Sequence, residues 1–236
     1  MKTIVMIPTY NESENIEKLV KTILKFSKIE ILVIDDNSPD GTHKIIRNLM
    51  KKNSRVKLLL RKKDKGRGLA GIAGYKYCLE HGADYIIEMD ADFSHNPKYI
   101  PDFLENIRKA DIVLGSRLVH GGSDNDRGII RKTITMLANL YIRLMLGIKV
   151  KDCNSGYRCF RRKVIEKINP DALVSKGPDI LQEVLFIAHL KGFKIIEIPI
   201  EFINRKLGKS KLSLKDLFKG YIVVLRLKIN HIAGRS

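Results

Sequence analysis

The chain has 236 residues, of which 44% are hydrophobic and 30% are charged, and this composition excludes a disordered protein. Lysine and arginine number 44 against 26 acidic residues, and the formal net charge of +18 favours partners that carry phosphate, such as nucleotides, nucleic acids or anionic membrane surfaces. The three cysteines lack the spacing of a metal site, the N-terminus turns polar too soon for a signal peptide, and no apolar run reaches the ~20 residues that cross a bilayer.

Strand and helix patterns alternate through about the first 115 residues. Residues 3–8, TIVMIP, are a short apolar run ended by a proline, and this pattern predicts a buried strand. Residues 12–26 place apolar side chains at helical spacing, so we expect a helix there. In the same way, strands are predicted at 29–35, 56–60, 84–90 and 110–116, and helices at 42–52 and 69–81. The alternation predicts an α/β fold with a mostly parallel central sheet and flanking helices.

Polar clusters follow four of the predicted strands, at residues 8–12, 35–40, 90–95 and 116–117. The carboxyl ends of parallel strands meet at one edge of a sheet, and the ligands of open α/β sheets bind beyond that edge. We therefore expect these four clusters to converge on one ligand site.

The segment EMDADFSHNP at 88–97 places two carboxylates, Asp90 and Asp92, at the end of a predicted strand. Like charges this close are unfavourable unless a positive group lies between them. Mg²⁺ commonly takes one or two protein carboxylates and fills its other positions with water and phosphate oxygens. Because the pair shares its edge with three other polar clusters, it predicts a metal site in preference to a solvated acidic turn.

Two basic segments each allow two interpretations. The pattern GRGLAG at 66–71 matches a dinucleotide fingerprint, but it follows the third strand and a charged run. We therefore favour a simple turn or a basic loop that closes over a phosphate. The segment NRKLGKSKLS at 204–213 is either a lid that clamps a diphosphate or a solvated charge run.

The second half of the chain carries two amphipathic patterns, at 128–147 and 214–232, in which apolar residues are interleaved with lysine and arginine. One interpretation is a pair of helices that pack on the core. The other is an interfacial surface, with apolar side chains toward lipid and basic side chains toward the headgroups.

Seven motifs occur in an order that resembles the dolichyl-phosphate (polyprenyl-phosphate) mannose synthases: IPTYNE, VIDDNSPDGT, KGRGLAGIAGYKYC, MDADFSHNP, LGSRLVHGG, DCNSGYRCFRR and NRKLGKSKLS. The resemblance runs from about residue 2 to about residue 222. It implies an inverting glycosyltransferase with the nucleotide-diphospho-sugar type-A fold. Residues 1–236 would form a single catalytic domain, with a nucleotide-sugar-binding half at 1–117, an acceptor-binding half at 118–212 and a C-terminal amphipathic helix at 213–236.

The resemblance also implies roles for individual residues. The nucleotide sugar is expected on Pro8, Tyr10, Glu12, Ile34, Asp36, Asp90, Ala91, Asp92, Arg205 and Lys211. The metal, Mg²⁺ or Mn²⁺, is expected on Asp90 and Asp92, with Ser94 as a weaker ligand at a position where relatives frequently carry glutamine. The expected catalytic residues are Asp92, Arg117 and Arg131, and the two arginines are expected to meet the acceptor phosphate.

The reaction that the resemblance implies transfers mannose from GDP-mannose to a polyprenyl or dolichyl phosphate. The enzyme would be cytoplasmic and peripheral on the cytosolic face of a membrane, in some organisms with small membrane protein subunits. A UDP-sugar donor, as in a polyprenyl-phosphate glucosyltransferase, is the alternative within the same fold. Nucleic-acid binding would use the charge of +18 but is poorly supported, because aromatic residues make up only 7% of the chain and tryptophan is absent.

Overall fold

The computed structural model describes residues 1–124, 128–203 and 222–229, except for the side chains of residues 130 and 131. Within these ranges the strands form one sheet in the order β3-β2-β1-β4-β6-β5-β7. The strands are β1 (Thr3–Thr9), β2 (Ile29–Asp35), β3 (Val56–Leu60), β4 (Tyr85–Glu88), β5 (Ile112–Ser116), β6 (Arg158–Arg161) and β7 (Ile195–Pro199). All neighbouring strands pair in parallel except where β6 lies antiparallel between β4 and β5. This confirms the predicted α/β fold with a mostly parallel sheet.

The sheet is covered by helices on both faces. The helices are α1 (Ile16–Ile23), α2 (Thr42–Lys52), α3 (Arg67–Glu80), α4 (Ile100–Asn106), α5 (Ile129–Leu146), α6 (Arg162–Ile168) and α7 (Ile180–Leu190). Successive side chains of a strand point to opposite faces, so Ile4 and Met6 of β1 pack on the side of α3, α5, α6 and α7, whereas Val5 and Ile7 pack on the side of α1, α2 and α4. Because both faces are buried there, strands β1 and β5 read as largely apolar runs.

Strand β6 is the element of the sheet that its sequence predicts least well. Its four residues, RCFR, begin and end with arginine, which is unusual for a central strand. The buried guanidinium of Arg158 donates to three backbone carbonyls, those of Ser155 at 2.6 Å, Leu181 at 2.7 Å and Cys153 at 3.0 Å. These bonds, formed only in the folded chain, offset the loss of hydration that excludes most arginines from a core.

Two predicted boundaries shift in a way that matters for the site. The first helix begins at Ile16 rather than residue 12, because the Glu12 carbonyl accepts the N–H groups of Asn15 and Ile16 in a turn before it. The fourth strand ends at Glu88, so Asp90 and Asp92 lie in the turn that follows and not on the strand itself. The turn, and not the strand, therefore sets the geometry of the two carboxylates.

The amphipathic pattern at 128–147 forms α5, and residues 222–229 are helical within the second predicted pattern. Among the helices in the part of the chain that the structure describes, none has the length and apolar character to cross a membrane.

Candidate active site

The first two polar loops at the sheet edge are held together by buried aspartate. Asp35, which is inaccessible to solvent, accepts from the Thr9 hydroxyl at 2.9 Å and from the Ser38 hydroxyl at 2.6 Å. The Ser38 hydroxyl oxygen in turn accepts from the Asn11 N–H at 2.9 Å. The loop after β1 is thus fixed to the loop after β2, as the expected convergence of these clusters requires.

At this edge of the sheet, the residues expected to hold the nucleotide differ in how far their side chains are exposed. Tyr10 is 43% exposed, and the Glu12 N–H donates to the Thr42 hydroxyl at 3.0 Å. Pro8 lies on β1, paired in register with Ile34. The Ile34 side chain is buried against Gly74, where an added Cβ would lie 3.1 Å from Ile34 Cδ1. Its side chain therefore belongs to the core and does not face the edge, and the expected position of Ile34 at the nucleotide stays a prediction.

Asp36 connects the second loop to the loop before α3. One of its carboxylate oxygens accepts from Arg61 Nη1 at 2.5 Å, and the other accepts from the Gly66 N–H at 2.7 Å. Both oxygens are engaged within the protein, so the carboxylate expected near the base and ribose also fixes the basic loop.

The glycines of that loop serve close packing. The Gly68 N–H donates to the Lys176 carbonyl at 3.1 Å, and a Cβ on Gly68 would lie 2.6 Å from backbone atoms of Ser175 and Lys176. The opposing segment is held by buried Glu183, whose two oxygens each accept a backbone N–H, from Val174 and Ser175, at 2.9 Å. This packing accounts for the GRG sequence without a dinucleotide.

The acid pair lies in a tight turn after β4. The Asp92 side chain is buried, and its Oδ1 accepts from the N–H of Ser94 at 3.1 Å and from its hydroxyl at 2.6 Å. Phe93 between them has a φ of 62°, a conformation that a non-glycine residue adopts only when the surrounding structure holds it there. The Asp90 side chain is 43% exposed. Ser94, expected as a weaker metal ligand, thus orients the Asp92 carboxylate.

His95 holds this turn from the buried side, and it was not among the site residues predicted from the sequence. Its Nδ1 accepts the backbone N–H of Asp90 at 2.9 Å, so the ring carries no proton at that nitrogen. Burial lowers the pKa of His95, although the nearby carboxylates of Asp90 and Asp92 oppose that shift. Gly156 leaves room for the ring, since a Cβ there would lie 3.3 Å from His95 Cε1. The signal was present in the motif, because a histidine three residues beyond an Asp-x-Asp is within reach of its backbone.

A buried network behind Asp90 was also missed. Glu88, the last residue of β4, accepts from Arg67 Nη2 at 2.6 Å and from the Tyr75 hydroxyl at 2.7 Å. Arg67 Nη2 also lies 3.7 Å from Asp90 Oδ1. Burial opposes the charge of Arg67, but Glu88 and Asp90 outweigh it and raise the pKa of the guanidinium. Arg67 therefore neutralises acids of the site, with its side chain turned toward Glu88.

On the other side of the site, Arg117 follows β5 and is braced by buried Asp152. Its Nε and Nη2 each donate to that carboxylate at 2.8 Å, and its backbone N–H donates at 3.1 Å. Asp152 is held in turn, since its N–H donates to Glu197 at 3.0 Å. Burial lowers the pKa of Arg117, but the charges of Asp152, Asp124 and Asp90 outweigh it and the pKa lies above its ordinary value.

The remaining expected site residues are described in part or lie outside the described residues. Arg131 has its backbone in α5, and its side chain is outside the description. Arg205 and Lys211 lie wholly outside it. Ala91 is 3% exposed, between the two acids.

The carboxylates of Asp90 and Asp92 fit a hard divalent cation whose other ligands are not protein groups. In residues 1–124, 128–203 and 222–229 no group of three or more His, Cys, Asp or Glu side chains is arranged to hold a metal. Two carboxylates, one exposed and one fixed by Ser94, instead match the one- or two-carboxylate sites at which phosphate oxygens complete the coordination of Mg²⁺.

Comparison with known sequences finds relatives that match most of the chain. Residues 4–169 match Glycosyl transferase family 2. Undecaprenyl-phosphate mannosyltransferase of Micrococcus luteus is 39% identical over 90% of this chain and 88% of its own length. Polyprenol monophosphomannose synthase of Mycolicibacterium smegmatis is also 39% identical, over 90% of this chain and 81% of its own. Dolichol-phosphate mannosyltransferase of Pyrococcus furiosus is 38% identical over 96% of this chain and 64% of its own.

Solved structures share the fold. Glucosyl-3-phosphoglycerate synthase from Mycobacterium tuberculosis, in complex with Mn²⁺, UDP and glucosyl-3-phosphoglycerate, superposes with a TM-score of 0.70 over 100% of this chain and 81% of its own, at 17% identity. A mannosyltransferase from Pyrobaculum calidifontis, in complex with GDP-Man and Mn²⁺, gives a TM-score of 0.58 over 99% of this chain and 74% of its own, at 15% identity. At these identities the likeness establishes the fold alone.

Proposed function

This chain belongs to glycosyl transferase family 2, and we propose that it transfers mannose from GDP-mannose to a polyprenyl phosphate with inversion at the anomeric carbon. Three relatives at 38–39% identity, named for mannosyl transfer to undecaprenyl, polyprenol or dolichol phosphate, support this choice of sugar and acceptor. The product would be a polyprenyl-phosphate mannose.

The observation that carries the proposal is that the Asp90–Asp92 turn after β4 and the Arg117 guanidinium after β5, which Asp152 holds through two bonds of 2.8 Å, lie at the same edge of the sheet. Transfer between a sugar diphosphate and a lipid phosphate requires two anionic groups to approach each other. An acidic turn suited to a cation and a fixed, positively charged guanidinium are the complementary groups for that task. The structure provides both at one sheet edge.

Asp90 and Asp92 would hold a divalent cation, Mg²⁺ or Mn²⁺, against the donor diphosphate. When bound, the cation supplies Lewis-acid neutralisation of the charge that develops on the departing nucleotide. Asp92 is the better fixed of the two carboxylates, because both bonds from Ser94 hold its orientation. We also propose that Arg205 and Lys211, outside the described residues, contribute positive charge to the same diphosphate.

The acceptor needs little activation by the protein. A phosphate monoester has a second pKa near ~6 and is largely dianionic at neutral pH, so it is a nucleophile without a general base. Arg117 would hold it, with Arg131 as its expected partner. Attack from the face opposite the leaving nucleotide inverts the configuration at the anomeric carbon.

We propose that α5 brings this site to the membrane surface where a lipid phosphate resides, on its cytosolic face. Four apolar side chains of the helix are between 47% and 75% exposed: Met136, Leu137, Leu140 and Leu144. Ile222, Leu225 and Ile229 of the second helical segment are 43–54% exposed as well. Lys132 and Arg143 lie on α5 among them, as in a helix that meets anionic headgroups. We also propose that small membrane subunits are partners of this surface.

A transfer assay tests the proposal and its main alternative together. Purified protein is incubated with a short polyprenyl phosphate in detergent and with labelled GDP-mannose or UDP-glucose, in Mg²⁺, Mn²⁺ or EDTA. Metal-dependent mannolipid formation from GDP-mannose is the expected result. Label transferred from UDP-glucose instead would overturn the donor assignment while leaving the family intact.

A further inference from the structure

Aromatic side chains form a continuous column between the core and Arg117. Phe103 and Tyr157, both fully buried, have ring centres 4.4 Å apart. Tyr157 stacks on His95 with centres 5.0 Å apart and an angle of 16°. His95 in turn meets the ring of Phe202 edge to face, at 6.1 Å and 72°.

The outer end of this column is Phe202, which supports Arg117. The Arg117 guanidinium carbon lies 5.0 Å from the centre of the Phe202 ring, a favourable cation–π distance. The Phe202 backbone is anchored separately, because its N–H donates to the Ser123 carbonyl at 2.9 Å. The Phe202 ring is therefore attached to an anchored backbone, and it contacts both His95 and Arg117.

The two outer members of the column, His95 and Phe202, each contact one side of the proposed active site. His95 accepts the N–H of Asp90, an acid of the donor side. The ring of Phe202 packs against the guanidinium of Arg117, which is on the acceptor side. The Nε and Nη2 atoms of that guanidinium donate to Asp152. The contact between the rings of His95 and Phe202 thus lies between the turn at Asp90 and the guanidinium of Arg117. The distance between these two groups would determine how closely the sugar donor and the acceptor phosphate approach each other.

We propose that Phe202 is a positioning residue that sets the distance between the metal-binding turn at Asp90 and the acceptor-binding guanidinium of Arg117. The inference rests on the proposed function, since it concerns the spacing of two substrates. A group that fixes relative position affects the rate of reaction of bound substrates more than their binding, because small misplacements of reacting atoms lower the effective concentration steeply.

The test compares Phe202→Leu with Phe202→Tyr. Leucine keeps apolar volume and removes the ring face, whereas tyrosine keeps the ring. Tyr99→Phe is the matched control, because it removes the hydrogen bond that the Glu201 N–H donates to the Tyr99 hydroxyl at 2.9 Å, one residue before Phe202, and leaves the column intact. Steady-state mannosyl transfer is measured for each, with thermal unfolding to show that each variant is folded.

For Phe202→Leu we expect kcat to fall about tenfold or more, with KM for GDP-mannose and for Mn²⁺ unchanged within about twofold. Donor hydrolysis without transfer should rise relative to transfer. Phe202→Tyr and Tyr99→Phe should stay within about twofold of the unaltered protein. Wild-type kcat in Phe202→Leu, or equal losses in Phe202→Leu and Tyr99→Phe, would overturn the inference alone. Failure of the unaltered protein to make mannolipid would overturn the proposed function itself.

Discussion

The backbone N–H of Asp90 donates to Nδ1 of His95 at 2.9 Å, and this bond joins the acidic turn to the core of the protein. An N–H that points into a protein needs an acceptor, because an unsatisfied buried donor costs about 1–3 kcal/mol. The histidine ring supplies that acceptor from a position fixed by Tyr157. The turn that would carry the metal is thereby held by a side chain that does not itself face the ligand.

Replacing His95 separates its role as an acceptor from its role in packing. His95→Asn retains an acceptor near the position of Nδ1, whereas His95→Phe retains the stacked ring and loses the acceptor. We expect His95→Phe to weaken Mn²⁺-supported GDP binding about tenfold and His95→Asn to weaken it less, about threefold at most. Calorimetric titration with GDP and Mn²⁺ measures this. Equal affinities for the two variants would contradict the acceptor role.

The Glu88–Arg67 ion pair should contribute to stability as a unit. Glu88 is fully buried, so Glu88→Gln leaves the Arg67 cation with a weaker partner. Arg67→Met removes the ion-pair partner of this buried carboxylate, which then keeps the bond from the Tyr75 hydroxyl. We expect each single variant to lower the free energy of unfolding by about 3 kcal/mol. The double variant should lose clearly less than the sum. Urea unfolding of the three variants tests this, and additive losses would show that the two side chains are not coupled.

Gly68 should not tolerate a side chain. A Cβ at this position would lie 2.6 Å from the Lys176 carbonyl carbon, and backbone atoms on both sides prevent easy relief. Gly68→Ala is therefore expected to lower stability by about 1–3 kcal/mol. Gly128→Ala is the control, because no heavy atom of the described residues lies within 4 Å of the added Cβ there, and it should change stability by less than about 0.5 kcal/mol. Thermal unfolding compares them, and equal stabilities would contradict the close packing.

The cysteine thiols should be inert in the native protein. Cys78, Cys153 and Cys159 are free and buried. Burial raises the pKa of Cys153 to about 12, so at pH 8 nearly all of this thiol is protonated and the reactive thiolate is scarce. Burial raises the pKa values of Cys78 and Cys159 as well. Iodoacetamide followed by mass spectrometry should show no rapid modification at pH 8 and three modified residues after denaturation. Fast labelling of the folded protein would contradict the burial.

The sequence pattern predicted the parts of the fold that depend on local order. The strand at 29–35 and the helix at 42–52 match their observed bounds, because the apolar runs and turn residues that define them are adjacent in the chain. The convergence of polar clusters at one edge followed from the parallel sheet. The acid turn was found for the same reason, as the residues after a buried strand.

Features that depend on contacts between distant residues could not be predicted in this way. Arg117 pairs with Asp152 across 35 residues, and Arg67 pairs with Glu88 across 21. In the sequence, Arg67 resembles other members of a basic loop, and only the fold shows that it is turned inward to an acid. Strand β6 was missed because its arginines donate to carbonyls that are distant in the chain, Arg158 to that of Leu181 and Arg161 to those of Ile107 and Ala110.

The central claim is that the acidic turn supports metal-dependent mannosyl transfer, and one comparison tests it most directly. Transfer from labelled GDP-mannose to a short polyprenyl phosphate is measured for the unaltered protein and for Asp92→Ala, over a range of Mn²⁺ concentrations, with circular dichroism to confirm that the variant is folded. We predict mannolipid that disappears with EDTA for the unaltered protein, and no metal-stimulated product for Asp92→Ala. Metal-stimulated transfer by folded Asp92→Ala would contradict the assignment of the turn.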